Sequence, residues 1–595
     1  MTAATLNRVL VANRGEIAVR VIRACRALGI ESVAIYSDAD RTAPHVSLAD
    51  DAVWIGPEPA TESYLAIDRV IQAARSSKAD ALHPGYGFLS ENPEFVRAVV
   101  AAGLTFVGPS ADAMVALGDK ARAKQLAAAA DVPVVPSWEP DSVPDDAYPI
   151  VVKAAAGGGG RGMRVVESPE HLEAALESAG REALAGFGDD TLIVEKLVVG
   201  ARHVEVQLLA DSHGNALAIG ERDCSLQRRH QKVVEEAPAF ELSPELRSQL
   251  ASATERLAVT SGYENAGTAE FLVTAAGDFY FLELNARLQV EHPVTEEAFG
   301  LDLAEWQLRI AAGEPLSVPA NLSAQRHAIE ARVYAEDPVT LLPTGGQQLA
   351  VHLPTSRPWL RIDHALKTGN RVSLAYDPLL AKIITTGDTR DEARIRLLEA
   401  LSEFALPGVV TNVPLLMHAL TLPDFVAATH TIETLEHEPL TEAAAAIPPS
   451  VEREGRRLQL AGTASSTDPF VVLAGTPVDA PTAGEVRITP AGPSIWVSWH
   501  GTSWELPRDH IAEVVGVADV ETAGDHAALV APMPGTILSV KDPGEFVHAG
   551  EAVVVLEAMK MENAIAAPFD GTVETIGCSI GQMVTKGTVV AEVTR

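Results

Sequence analysis

Short apolar runs alternate with stretches of helical period from the start of the chain. Arg8–Ala12 (RVLVA) is an apolar run that stops at Asn13–Gly15, and Ile17, Val21, Ala24 and Leu28 then recur at helical spacing, which predicts strand, loop and helix. Ser32–Ser37 (SVAIYS) and Ala81–Gly87 (ALHPGYG) continue the alternation, so a doubly wound α/β unit is expected to about residue 115. An alanine-rich helix is expected over Asp119–Ala130. From Pro149 to Glu195 the pattern reads strand (IVVKA), glycine loop, strand (MRVV), a helix starting at Ser168–Pro169, and strand (TLIVEK). Strands follow at VEVQLLA and FYFLELN, and helices at Pro244–Ser261 and Leu303–Ala312. Beyond about residue 440 the composition turns to Ala, Pro, Ser, Thr and Gly with short alternating strands such as EVRITP and SIWVSW, marking a boundary and a small β-rich middle region.

The last 65 residues repeat themselves. APMPGTI (Ala531–Ile537) returns as APFDGTV (Ala567–Val573), and GEFVHAGEAVVV (Gly544–Val555) returns as GQMVTKGTVVAE (Gly581–Glu592). Two such sets of short strands imply a pseudo-symmetric β-sandwich. Its midpoint, Glu557–Asn563, reads EAMKMEN, and the symmetry of the repeat puts Lys560, between Met559 and Met561, on a projecting hairpin turn with its amine exposed.

A length of 595 residues argues for about four structural units. The charge, 46 basic against 80 acidic residues, is −34, which repels phosphate backbones and anionic lipid and argues against nucleic-acid and membrane-surface roles. An anionic substrate must then be met by local basic clusters. Cys25, Cys224 and Cys578 are too few and too far apart for a disulfide framework or a CxxC metal site, which predicts a reducing, cytoplasmic compartment. The N-terminus has no basic segment followed by an apolar core, and no run of about 18 apolar residues occurs, so a soluble, unexported chain is expected.

Three motifs carry chemistry. Gly157–Arg164 (GGGGRGMR) satisfies GxGxxG, but a strand rather than a helix follows and no GK[ST] ending is present, so neither a dinucleotide fingerprint nor a Walker A loop fits. A glycine hairpin between strands instead makes a flap whose backbone N–H groups can close over phosphates, with Lys153 supplying charge. In Phe279–Glu296 (FYFLELNARLQVEHPVTE), Glu283 and Asn285 share one face of an extended segment and Glu270 can approach from a neighbouring strand, an oxygen donor set suited to Mg²⁺ or Mn²⁺ on nucleotide phosphates. Arg287, Gln289 and Glu291 are expected to continue the same period-two alignment. Arg222–Pro238 (RDCSLQRRHQKVVEEAP) packs Arg222, Arg228, Arg229, His230 and Lys232 into eleven positions, either salt-bridged to Glu235 and Glu236 or capturing anions. His203 and Glu205 alternate on one strand face and address either a ribose or purine edge or only solvent. Cys224 is expected to be a packed small residue.

On these residues the chain resembles a known family. Residues 1–440 resemble biotin carboxylase, an ATP-grasp enzyme, with ANRGEIA, HPGYGFLSEN, GDK, KAAAGGGGRGMR, DCSLQRRHQKVVEEAP and ELNARLQVEHPVTE in order, and 527–595 resemble a biotin carboxyl carrier domain; lipoyl domains share that sandwich but typically lack the paired methionines. The resemblance implies a multidomain α/β fold: a Rossmann-like N-terminal domain (1–115), an ATP-grasp domain with a glycine-rich lid (116–325), a C-terminal subdomain (326–440), a β-rich connector (441–526) and a biotinyl/lipoyl-type β-sandwich (527–595). It further implies that Lys120, Lys153, Gly157, Gly158, Gly159, Gly160, Gly162, Glu195, Lys196, His203, His230 and Gln231 contact ATP, and that Glu270, Glu283 and Asn285 hold the metal ions. Lys232 would sit by the transferring phosphate. Arg287, Gln289 and Val290 would bind bicarbonate, Glu291 would be the base, Arg332 would stabilise the biotin enolate, and Lys560 would carry biotin.

The reaction so implied phosphorylates bicarbonate with ATP, releases CO₂ beside a deprotonated biotin, and moves the carboxyl group on the lysine arm to a second active site. The roughly 80 residues of the middle region cannot contain a carboxyltransferase. The expectation is an acyl-CoA carboxylase α subunit working with a separate carboxyltransferase β subunit in a large α/β complex, modified by a biotin protein ligase, a homo-oligomer in its own right, and docked to its partner by 441–526 with WVSWHGTSWEL (Trp496–Leu506). VSLAYDPLLAK (Val372–Lys382) is closer to methylcrotonyl- or propionyl-CoA types than to a freestanding acetyl-CoA type. Two alternatives are a subunit of another biotin-dependent carboxylase and a biotin-independent ATP-grasp ligase. PTGGQQ (Pro343–Gln348) departs from the PxPG-like segment frequent in the family.

Overall fold

The computed structural model of the chain describes residues 6–140, 142–154, 164–187, 191–319, 322–441, 450–453, 456–461, 470–477, 487–491, 494–507, 526–531, 533–549, 551–558, 561–585 and 587–595. Gly157, Gly158, Gly159, Gly160, Gly162 and Lys560 lie outside the described residues.

The opening alternation folds as a five-stranded parallel sheet. Asp51–Gly56, Glu31–Ser37, Arg8–Val11, Ala81–His83 and Thr105–Phe106 lie side by side in that order. Both faces are covered, as a parallel sheet requires: Leu10, Val33 and Ile35 enter one apolar cluster, while Val9, Val11, Ala34 and Ala81 enter another on the opposite face. At the carboxyl ends of the strands the Asn13 amide donates to the carbonyls of Pro84 and Tyr86, both at 2.7 Å, locking together two loops at the edge where open α/β sheets bind ligands.

A continuous eight-stranded antiparallel sheet forms the centre. Its order is Phe279–Asn285, Asn265–Val273, Arg202–Ala210, Ala216–Arg228, Gln231–Ala237, His327–Tyr334, Leu379–Gly387 and Leu360–His364. This sheet runs across residue 325, so the segments on either side of that position share one ladder. A smaller four-stranded sheet stands beside it, with Ser137–Trp138, Leu192–Lys196, Ile150–Ala154 and Arg164–Val166 in order and the helix Leu172–Phe187 on it; Ile150, Val152, Val166, Ala179 and Val194 fill the space between. The strands on either side of the glycine segment are antiparallel partners, as a hairpin reading requires. The helix expected from Ser168–Pro169 begins instead with a 3₁₀ turn, Pro169–His171, whose proline occupies the first position.

The connector's described strands form two three-stranded antiparallel sheets. The turn of the second packs on the helix Arg390–Glu403: a Cβ at Gly501 (φ 73°) would lie 2.3 Å from the Leu401 carbonyl, and Arg487 donates to the Glu403 carbonyl at 3.1 Å. Trp496 is buried in this unit. The C-terminal repeat folds as two interlocked four-stranded sheets. Gly535–Val540, Ala552–Ala558 and Met561–Ala566 take Met583–Val584 from the second repeat, and His526–Val530, Val589–Thr594 and Gly571–Ile576 take Phe546–Val547 from the first. That exchange makes the sandwich one core, with Val547, Val553, Leu556, Val573, Val590 and Val593 buried together.

Candidate active site

One cavity of about 770 Å³ lies between the parallel sheet's carboxyl edge, the small sheet and the central sheet. Lys153, Glu195, Lys196, His203, His230, Gln231, Lys232, Glu270, Glu283, Asn285, Arg287, Gln289, Val290, Glu291 and Arg332 all line it. Lys120 opens the helix Lys120–Ala129, and one turn further on Lys124 reaches the cavity wall.

The central sheet explains the convergence. Glu270 lies opposite Glu283 on one side and opposite Glu205 on the other, and Glu205 lies opposite Arg222. Directly paired residues point to one face, so three carboxylates stand in a cross-strand row, an arrangement that repels itself unless cations intervene. Lys232 supplies one: its Nζ is 2.5 Å from Glu205, 2.8 Å from Glu270 and 2.8 Å from Glu291. His203 Nε2 is 3.1 Å from Glu270 Oε2. Burial alone would lower the Lys232 ammonium and raise the Glu270 carboxyl, but these partners outweigh it, so Lys232 titrates well above its ordinary range and Glu270 well below.

At the outer end of the row the Asn285 amide nitrogen is 2.9 Å from Glu270 and 3.3 Å from Glu283. Glu270 and Glu283 thus bring two carboxylates together whose like charges favour a divalent cation, and with the Asn285 amide turned so that its oxygen rather than its nitrogen faces them the set fits Mg²⁺ or Mn²⁺. The strand stops at Asn285, so the expected period-two run does not continue: Arg287, Gln289 and Glu291 arrive on a loop that ends at Glu291, the cap of the helix His292–Phe299, whose first turn holds Pro293. Hydrogen bonds gather them all the same. Arg287 donates to Gln289 (2.8 Å) and Asn285 (3.0 Å) and pairs with Glu91 at 2.9 Å, and Gln289 donates to Glu270 at 3.1 Å.

Glu291 is 0 % exposed. Lys232 donates to one of its oxygens and Arg332 to the other, each at 2.8 Å. Burial would raise this carboxyl, yet Lys232, Arg332 and Arg222 hold it well below the usual carboxylate range. Arg332 also lies 2.5 Å from Glu235, a buried carboxyl that desolvation lifts to about 7 in spite of that arginine. Behind the loop, the fully buried Lys382 donates to the Val290 carbonyl at 2.9 Å, fixing the backbone between Gln289 and Glu291.

Several groups lie elsewhere than the sequence pattern predicts. Glu205 addresses neither ribose nor solvent, because it is buried and bound by Arg222 and Lys232. Arg222 does not capture anions: it is 0 % exposed and hydrogen-bonded to Glu205, Gln207, Thr295 and Thr268. The basic run is dispersed by strand alternation and two register shifts, Arg228 pairing with Glu336 while His230 and Lys232 reach the cavity. Glu235 and Glu236 pair outside that run, with Arg332 and Arg390. Arg229 and His230 form the two-residue turn of their hairpin at φ 45° and 61°, a conformation usually left to Gly or Asn. Lys124, missed in the sequence, pairs with Glu195, as does Lys153; the signal was its place one helical turn after Lys120. Cys224 is buried, with its sulfur 4.0 Å from Glu291.

Residues 5–114 match the family described as the biotin carboxylase N-terminal domain, 119–318 the carbamoyl-phosphate synthase L chain ATP-binding domain, 330–437 the biotin carboxylase C-terminal domain, and 527–593 the biotin-requiring enzyme domain. The α subunit of rat mitochondrial methylcrotonoyl-CoA carboxylase is 39% identical over 97% of this chain and 92% of its own. The biotin-dependent acyl-coenzyme A carboxylase alpha3 subunit of Mycobacterium leprae is 41% identical over 98% of each. Among solved structures, the biotin carboxylase–β,γ-ATP complex from Campylobacter jejuni is 40% identical, covers 73% of this chain and 99% of its own, and superposes with a TM-score of 0.71.

Proposed function

The chain belongs to the α subunits of the biotin-dependent acyl-CoA carboxylases and carries an ATP-dependent biotin carboxylase, and on that premise we propose that its cavity uses ATP and bicarbonate to carboxylate a biotin borne on Lys560. The observation that carries the reading is Glu291, a buried carboxylate held between Lys232 and Arg332 at the end of a row of acidic residues.

Lys153, Glu195, Lys196, His203, His230 and Gln231, which line the cavity, bind the nucleotide together with Lys120 and the glycines Gly157, Gly158, Gly159, Gly160 and Gly162, and Glu195 also pairs with Lys124 and Lys153. A Mg²⁺ or Mn²⁺ ion held by Glu270, Glu283 and Asn285 would neutralise the ATP phosphates. Arg287, Gln289 and the Val290 backbone seat bicarbonate beside Glu291, which takes the bicarbonate proton. A carboxylate clamped by two cations is a weak base; anionic substrates that draw Lys232 and Arg332 toward themselves release Glu291 to accept a proton. Lys232 then meets the transferring phosphoryl group, and Arg332 meets the oxygen that gains negative charge when biotin's ring is deprotonated. Biotin, once attached, supplies a ureido nitrogen able to carry a carboxyl group.

Glu235 yields a pH signature. It is neutral below about pH 7 and ionised above, when it pairs with Nε of the Arg332 guanidinium whose Nη2 holds Glu291. The rate with free biotin is expected to rise with pH through an ionisation near 7, and Glu235→Gln to keep the low-pH rate, within about threefold, from about pH 6 to 8. A rate profile for Glu235→Gln that still breaks near 7 would assign the ionisation elsewhere, for instance to Glu16, which lines the cavity and which burial also lifts to about 7.

The carboxyl group goes to an acyl-CoA, methylcrotonyl-, propionyl- or acetyl-CoA, at a carboxyltransferase on a separate β subunit; that relatives are named as α subunits supports this. The connector 441–526 docks that subunit, a biotin protein ligase modifies Lys560, and the chain is a homo-oligomer within the complex. No helix among the described residues is long and apolar enough to cross a membrane. Streptavidin capture from native cells followed by mass spectrometry is expected to recover this chain, biotinylated at Lys560, together with a carboxyltransferase subunit. A chain that passes through unretained would sink the proposal.

A further inference from the structure

The loop after the strand His327–Tyr334 is held rigid by its own hydrogen bonds. The Asp337 carboxylate accepts from the N–H groups of Val339 (3.1 Å) and Thr340 (2.8 Å), Asp337 N–H donates to the Leu342 carbonyl at 2.9 Å, and Leu341 N–H donates to the Asp337 carbonyl at 3.0 Å. Glu336 pairs across the base of the loop with Pro343 as an isolated bridge. Within it Leu341 takes φ 59°, a left-handed conformation that a bulky residue adopts only where its surroundings enforce it. The next side chain, Leu342, packs against the buried cluster of the C-terminal sandwich, from which every other described member comes from residues 529–593.

The same loop is fastened to the cavity. Arg332 lies on the strand that leads into it, and Tyr334, two residues on, lines the cavity with it. Arg228 pairs with Glu336 and lies 5.3 Å over the Tyr334 ring, and Arg229 donates to the Thr340 carbonyl at 3.3 Å. Arg228 and Arg229 run directly into His230, Gln231 and Lys232 of the cavity wall. One rigid loop thus touches the carrier on its outer side and braces the active-site hairpin on its inner side.

Resting on the reading of the cavity given above, we propose that Asp337–Leu342 is the seat on which the chain's own carrier domain docks to present biotin, with Leu342 as its apolar contact. A carrier that serves two sites must leave each of them, and a contact centred on one half-buried leucine suits weak, reversible docking. The occupant is the 526–595 domain rather than a foreign partner, because that domain already lies against Leu342.

The test uses the full biotinylated chain. Leu342→Asp is expected to slow carboxylation of its own carrier, read as labelled bicarbonate retained on the protein after rapid quenching, by about tenfold, with the free-biotin rate within about twofold. Leu342→Met is expected to keep both rates. Self-carboxylation by Leu342→Asp at the unsubstituted rate overturns the seat, and so does an equal loss with free biotin, which would make the loop a cavity wall only. An unsubstituted chain that carboxylates neither its carrier nor free biotin defeats the reading of the cavity instead.

Discussion

A chain carrying Lys560→Arg is expected to show no streptavidin-reactive band and to transfer no carboxyl group to acyl-CoA, while carboxylating free biotin within about twofold of the unsubstituted rate. Attachment needs an amine that can lose its proton and attack an activated carboxyl; a delocalised guanidinium stays protonated and does not acylate. The substitution preserves charge and approximate length. The flanking strands are held independently by the Ala552–Ala558 ladder with Met561–Ala566 and by the buried core of Val547, Val553, Leu556, Val573 and Val590, so the sandwich survives. The free-biotin rate reads the cavity independently of the attachment site. A streptavidin blot and transfer of labelled bicarbonate to acyl-CoA check both halves, and a retained band would place the biotin on another lysine.

Local repetition was the most legible feature of the chain. The C-terminal repeat announces two equivalent strand sets, and only their exchange of Phe546–Val547 for Met583–Val584 escapes the sequence, since it depends on pairing between residues far apart in the chain, such as Phe546 with Thr572 and Gly535 with Val584. In the site, the strand alternation of Glu283 and Asn285 was readable, and the structure puts Glu270 opposite Glu283. Glu205 was not readable. Its neighbours Arg222, Lys232 and Glu270 lie on three other strands, so nothing local distinguishes it from a solvated polar residue. Extending the alternation through Glu291 failed because a helix capped at Glu291 with proline behind it forces the chain out of the strand, and side-chain hydrogen bonds rather than register then hold Arg287 and Gln289 in place. Arg222 and Arg228 misled for the converse reason: clustering in sequence says nothing of which face of a strand, or which side of a bulge, each one takes.

Glu291→Gln is the replacement expected to cost most within the cavity. The amide keeps the shape of the carboxylate but cannot take a proton at neutral pH, so kcat with free biotin is expected to fall by about 10²–10⁴-fold, the range a positioned general base contributes. The fold is expected to stand, because the buried cations keep other partners: Lys232 retains Glu205 and Glu270, and Arg332 retains Glu235. Removing one negative charge from a site that must admit bicarbonate and phosphate lowers the electrostatic barrier to anions, so KM for bicarbonate should stay level or fall while kcat collapses. That split separates a base from a residue that merely holds Lys232 and Arg332 in position, whose loss would raise KM along with lowering kcat. Steady-state rates over a bicarbonate series, with ATP affinity measured separately to show that the nucleotide site is intact, decide between them. A Glu291→Gln enzyme within about tenfold of the unsubstituted kcat would remove Glu291 from the proton transfer and leave it as a counter-ion for its two cations.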